Sequence, residues 1–504
     1  MDAAGAPAPD DLSARVRAAL AEGGEGPAIW AEGRWRTWAQ IAGFARVLDA
    51  ALAAARPDAP VALVARNRPA HVAALAGLIA ARRTTCMVYS AQSPTAIAAD
   101  VARLNAPAVL ADAADWTPAL TEAVTAAGAL GLALSDADEG VRVVTAPGGA
   151  GPFRAADPDV AFELLSSGTT GPPKRLPLSW AAVGSAVADA ATTYAASGRR
   201  DAPIVSVSPL GNVAGVSYVV PALARRQPLV LLERFTVERW VEAVREHRPV
   251  RAAIPAAAVR MVFEARPPRE DLASLTVIGV GGSKIDPDLQ LAFEAAYGIA
   301  VLPAFGATEF GGVIANWSLD DYRRLGAVKR GAAGRASPGV MLRVVDRETF
   351  APLPPGETGL LEAQVARIGP DFIRTNDLAS LDEDGFLYLH GRADDAINRG
   401  GFKVVPEVVA QALRAHPAVA DAAVVGLADA RLGEAPAAAV ELSEGAAAPT
   451  EAELLAFLRE RLPAYQIPVR IRTVSALPRN ASMKVVTPEV KRLLGAEEDL
   501  KSCA

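Results

Sequence analysis

The segment Ser166-Ser167-Gly168-Thr169-Thr170-Gly171-Pro172-Pro173-Lys174 follows the apolar run Ala161-Phe162-Glu163-Leu164-Leu165. The apolar run reads as the end of a strand, and the hydroxyls and glycines after it read as a loop crowded with donors. Glycine lets backbone N–H groups approach an anion, the hydroxyls add side-chain donors, and the lysine adds charge. Such a loop suits the outer phosphates of a nucleotide. It is not a Walker loop, which needs Gly-x-x-x-x-Gly-Lys-Ser/Thr leading into a helix. Here Arg175-Leu176-Pro177 follows the lysine, and proline opposes helix continuation.

On both sides of this segment the chain alternates between strand-like and helix-like runs. Residues 60–64, 108–111, 204–207, 229–232, 252–255, 275–279 and 300–304 are short and apolar. Residues 71–81, 237–247 and 287–297 carry helical patterns. The alternation predicts an α/β protein with parallel sheets. After about Gly334 the texture changes to short turn-bounded strands at 340–345, 359–363 and 386–389, a small β region. A second shift follows Gly391-Arg392-Ala393-Asp394-Asp395. Beyond it, helices at 405–415 and 451–461 and strands at 421–425 and 469–474 predict a small α+β domain. The alanine-rich patches at 253–258 and 446–448 read as compositional bias.

The chain has 504 residues, too many for one core, and 51% hydrophobic residues, enough for several. Its net charge of −6 leaves no basic footprint for nucleic acid. Cys86 and Cys503 are the two cysteines, which offer no disulfide framework or metal-ligand spacing and fit a reduced cytoplasmic compartment. Residues 1–11 lack the basic and apolar regions of a signal peptide, and the apolar helix at 71–81 is too short to span a bilayer.

Four further segments stand in order after the loop: Gly281-Gly282-Ser283; Phe305-Gly306-Ala307-Thr308-Glu309; Arg374-Thr375-Asn376-Asp377 with Gly391-Arg392-Ala393-Asp394; and Leu477-Pro478-Arg479-Asn480-Ala481-Ser482-Met483-Lys484. With the loop they resemble the motifs of the adenylate-forming superfamily of acyl-CoA synthetases, peptide-synthetase adenylation domains and luciferases. The resemblance covers nearly the whole chain. It implies a large N-terminal adenylation domain (1–391), a hinge (392–395, centred on Asp394) and a mobile C-terminal domain (396–504).

The resemblance also implies roles. Ser166, Ser167, Gly168, Thr169, Thr170, Gly171 and Lys174 would hold the phosphates of ATP. Gly281, Gly282, Ser283, Phe305 and Gly306 would line adenine. Thr308 would reach phosphate, and Glu309 would help hold Mg2+, a cation that takes oxygen ligands. Asp377 would accept both ribose hydroxyls, Arg392 would contact ribose or phosphate, and Lys484 would be the catalytic lysine. Rotation of the C-terminal domain would then withdraw Lys484 and bring Gly400 and Gly401 to the site, where a thiol arm could pass. The implied reaction joins a small-molecule carboxylic acid to coenzyme A through an acyl-adenylate, by a monomer or homodimer. Transfer to an acyl carrier protein and a non-catalytic binding role are the alternatives.

Departures from the pattern concern the acid. Gly211, Asn212 and Val213, with Ala307 and Gly311, are the candidate acid-pocket residues. Gly211 stands where the superfamily has a bulky aromatic and Asn212 where it has histidine, which predicts a wide pocket for a bulky or rigid acid or a medium-to-long acyl chain. Asn376 replaces a glycine and is expected to keep a left-handed turn. Met483 replaces a glycine before the lysine. Lys284, often proline, is expected to be exposed.

Overall fold

A computed structural model describes residues 11–136, 140–148, 151, 153–165, 174–195, 202–399, 402–429 and 432–495. Two seven-stranded sheets form the first part. One runs Ala300–Pro303, Val277–Val280, Arg251–Ala253, Ile204–Ser206, Leu229–Leu231, Pro27–Ala31, Arg34–Thr37, parallel except for its last pair. The other runs Gly140–Thr145, Leu130–Ser135, Ala108–Asp112, Val61–Ala65, Thr85–Tyr89, Val160–Leu165, Arg175–Ser179, parallel except at its two edges. Successive side chains of a strand face opposite sides, and the cores follow that rule. Val61 and Leu63 join one cluster while Ala62 and Val64 join another.

The largest core draws on both sheets. Ile29, Leu229 and Leu231 of one and Val61, Leu63 and Leu110 of the other enclose helices Pro69–Ala80 and Val213–Ala224. Parallel sheets need cover on both faces, and helices Val237–His247, Ala256–Ala265 and Pro287–Tyr297 supply it on the far side of the first sheet. The start of the second of these helices was read as alanine bias, yet Ala258 is fully buried with Val259 and Val262.

A third seven-stranded sheet, antiparallel throughout, spans Phe305–Ala307 to Phe386–Arg392. The motif around Asp377 lies inside its long strand Phe372–Leu381. Asn376 therefore has ordinary strand backbone and is absent from the left-handed positions, which corrects the expected turn. The fourth sheet runs Phe402–Val404, Ile397–Arg399, Gly433–Leu442, Val419–Asp429, with Arg470–Val474 parallel to the third of these.

A chain of ions braces this last sheet. Arg414 pairs with Glu407 and, at 3.3 Å, with Asp421. Asp421 also pairs with Arg479, whose Nη1 donates to Met483 O at 3.1 Å. Burial pushes the Asp421 carboxyl up, but the two guanidinium groups outweigh it and hold its pKa below the ordinary carboxylate value. Asp421→Ala takes the shared carboxylate from two half-buried guanidinium groups, leaving Arg414 with Glu407 and Arg479 without this partner. It is expected to cost about 2 kcal/mol or more, read from the denaturant midpoint at unchanged slope, and a shift near zero would show that solvent compensates the charges.

Candidate active site

The lysine turn explains itself locally. Asn480 Oδ1 accepts from Ser482 N (2.9 Å) and from Lys484 N (3.0 Å). Asn480 N donates to Lys484 O at 2.9 Å and Met483 N to Asn480 O at 2.8 Å. The ring closes only if Met483 turns left-handed, at φ 62°. That is the backbone a glycine adopts freely and an L-residue adopts at a cost of about 1–2 kcal/mol.

The turn delivers Lys484 to the cleft. A β-carbon added to Gly282, itself at φ +81°, would lie 3.5 Å from Lys484 Cε. The carboxylates of Asp377 and Glu309 act on the ammonium, as does the Arg392 guanidinium. The lysine retains solvent access, yet the protein crowded around it pushes its pKa down. Asp377 and Glu309 partly offset that effect and Arg392 adds to it.

Asp377 and Arg392 are register partners on adjacent strands, with Nη1 and Oδ1 3.9 Å apart. Burial raises the half-buried Asp377 carboxyl; Arg392 and Thr375 oppose the rise, and Asp394 and Glu309 add to it. Arg392 also grips Asp394 with two hydrogen bonds, of 2.9 and 2.7 Å, and Asn376 Nδ2 donates a third at 3.1 Å. The asparagine in place of glycine thus holds the residue assigned to the hinge.

Phe305 is half-buried and packs toward Phe310, ring centres 6.5 Å apart. Gly306 is required by packing, since an added β-carbon would meet Gly312 O at 2.3 Å. Thr308 and Glu309 open a short 3-10 helix, with Glu309 exposed, and Gly311 closes it at φ +66° beside Leu178 and Ile368. Ala307 precedes that helix, and Gly281 and Ser283 flank Gly282 at the surface. Lys284 is exposed and donates to Leu389 O at 3.2 Å. Lys174 is exposed just before strand Arg175–Ser179, whose Arg175 pairs with Leu165. Ser166, Ser167, Gly168, Thr169, Thr170 and Gly171 lie outside the described residues, as do Gly400 and Gly401.

Two residues at the loop of the acid-pocket candidates carry no signal in a sequence motif. Asn67 is buried and clamps the loop's backbone, donating to Ser208 O (3.0 Å) and Leu232 O (3.1 Å) and accepting from Leu210 N (2.8 Å). Tyr89, at the end of a strand, sits against Gly211. A β-carbon on Gly211 would lie 3.5 Å from both Tyr89 Cα and Cδ2. The space beside Gly211 is thus shared with a tyrosine ring. Neither residue belongs to a motif, and a polar residue after an apolar run was the sole signal. Asn212 and Val213 begin helix Val213–Ala224, Asn212 as its cap.

Residues 16–364 match the model of the AMP-binding enzymes and residues 409–484 that of the AMP-binding enzyme C-terminal domain. The chain belongs to the AMP-binding enzyme family. It is an adenylate-forming enzyme, and its arrangement of sheets is that of the family. It is 33% identical over 362 residues to a 2-succinylbenzoate–CoA ligase of Geobacillus kaustophilus, covering 68% of this chain and 70% of that protein. It is 34% identical over 356 residues to a 2,3-dihydroxybenzoate-AMP ligase of Bacillus subtilis, covering 65% and 63%. The ATP-bound MatB structure from Rhodopseudomonas palustris has the same fold, with TM-score 0.81 at 23% identity over 97% of this chain and 99% of that one.

Met483→Gly is expected to stabilise the protein by about 1 kcal/mol by relieving the left-handed methionine, read from the denaturation midpoint. A lower midpoint would mean that the methionine side chain's contacts outweigh the backbone cost.

Proposed function

We propose that this enzyme joins a ring-bearing carboxylic acid to coenzyme A in two steps. The acid's carboxylate oxygen attacks the α-phosphorus of ATP, and the bond to pyrophosphate breaks. The thiol sulfur then attacks the acyl carbon, the bond to AMP breaks, and the thiol proton is released. The observation that carries this reading is the convergence of Lys484, from the segment after the last strand of the fourth sheet, with Gly282 after a strand of the first and Glu309 and Asp377 of the third. Phosphoryl transfer needs positioned charge more than covalent help, and a lysine placed among nucleotide-binding candidates supplies it. Asp377 would accept the ribose hydroxyls and Arg392 would contact ribose or phosphate.

Glu309 would hold magnesium. One carboxylate suits a small cation that keeps water and phosphate oxygens as its other ligands. No group of three or more metal-ligating side chains occurs among the described residues, so an all-protein cage is not offered. Magnesium would add positive charge against the phosphates. Residues 392–395 would serve as the hinge between a 1–391 acid- and ATP-binding part and a mobile 396–504 part.

A ring-bearing acid is favoured because both relatives named above have benzoates in their names, and because Gly211 leaves the pocket wall to a flat tyrosine. The name of the second relative, an AMP ligase, also supports an alternative in which the released product is the acyl-adenylate; an acyl carrier protein would then be its acceptor.

Pyrophosphate release across a panel of aromatic and aliphatic acids, with and without coenzyme A, tests the reading. Lys484→Ala is expected to lower acid-dependent pyrophosphate release by at least about 100-fold. Thioester formation from supplied acyl-adenylate should persist. Loss of both steps would overturn the assignment of Lys484.

The lowered Lys484 pKa also fixes the sign of a pH effect. The ammonium is the active form, so activity is retained at lower pH and lost as pH rises through that pKa. The kcat/KM for ATP should fall on an alkaline limb below the ordinary lysine value of 10.5. A limb at or above that value would show that the Lys484 pKa is not lowered in the free enzyme.

A further inference from the structure

Asn212 makes two bonds with one amide. Its Oδ1 accepts from Gly215 N at 2.9 Å, which caps the helix. With the oxygen turned to the helix, Nδ2 faces outward, and it donates to Ser482 Oγ at 3.0 Å. Ser482 belongs to the lysine turn, where Asn480 Oδ1 receives both its N–H and that of Lys484. Asn212 therefore bonds to a residue two positions before the lysine, whose N–H shares the Asn480 oxygen with that of Lys484. The Tyr89 hydroxyl lies beside Ser482, buried and without a well-formed hydrogen bond, so the contact is sheltered rather than surface decoration.

The charged groups near Lys484 do not fix the turn's orientation. Asp377 and Glu309 act on the ammonium at the end of a flexible four-carbon stem. The amide–hydroxyl bond acts on the turn itself. The pair is neutral and half-buried, a class of bond that contributes modestly and can be broken within a catalytic cycle.

We infer that Asn212 and Ser482 form a latch that seats the lysine turn on the acid-binding loop for the acid-activating step and releases for the thiol step. Asn212 is thereby a positioning residue, acting through the turn. The inference rests on the two-step reading above.

Asn212→Ser keeps a capping hydroxyl but is too short to reach Ser482, and Ser482→Ala removes the partner without touching the acid loop. Each is expected to lower kcat for pyrophosphate release about three- to tenfold, Ser482→Ala with little change in the KM for the acid. The double variant should be no slower than the slower single one. Ser482→Ala should form thioester from supplied acyl-adenylate no more slowly than the unaltered enzyme. Additive losses, an equal fall in both steps, or an effect confined to the KM for the acid would overturn the latch. Amide hydrogen exchange at residues 479–485 reads the same contact without catalysis. Exchange is expected to be faster in Ser482→Ala, and unchanged exchange overturns the latch even if pyrophosphate is released. Faster exchange in an enzyme that releases no pyrophosphate with any acid would support the latch and overturn the two-step reading instead.

Discussion

One ammonium group has to be carried from a five-stranded sheet near the end of the chain to a cleft built by other sheets. The cleft offers it two carboxylates, Asp377 and Glu309, and one competing guanidinium, Arg392. Crowding there disfavours the charge, so the position of Lys484 cannot be left to electrostatics alone. Backbone geometry sets it. Asn480 closes the turn, Met483 accepts a left-handed conformation, and Arg479 ties the turn's carbonyl back to Asp421. The ion chain through Asp421 and Arg414 then roots the turn in helix Pro406–Arg414. A buried ion chain of this kind stabilises little by itself, but it fixes one arrangement.

The cleft's other wall is fixed with the same economy of parts. Gly306 is a glycine because Gly312 O leaves no room for a β-carbon, and Gly282 because its backbone is left-handed against the lysine stem. Asn67 holds two backbone groups of the loop that leads to Gly211 and Asn212 and ties them to Leu232 O, just past strand Leu229–Leu231. Each constraint is short-range, yet together they join parts of the chain separated by hundreds of residues.

How much of this could be read from the residues depended on the kind of signal. Strands such as Val61–Ala65 and Leu229–Leu231 announce themselves through leucine and valine, and helix Val237–His247 through charges on one face. Strand Gly433–Leu442 escaped, because its centre is Ala437, Ala438 and Ala439, residues with no strand preference. Its place between Val419–Asp429 and Arg470–Val474 is imposed by tertiary pairing. At the site, the motif residues were legible as types, and their convergence depended on the fold. Asn376 was misjudged, because glycine in a motif suggests a turn while the chain here runs straight through a strand. Tyr89 and Asn67 were invisible because their partners are far away in sequence.

The grip on Asp394 has a consequence for temperature. Three hydrogen bonds from Arg392 and Asn376 converge on one carboxylate at the proposed pivot. If the C-terminal part swings as proposed, these bonds would have to loosen together, which is an enthalpic demand. Diffusion of substrates into an open cleft carries no such demand. Cooling would therefore slow the swing more than the encounters on either side of it, and the turnover of a cold enzyme would be governed by its pivot.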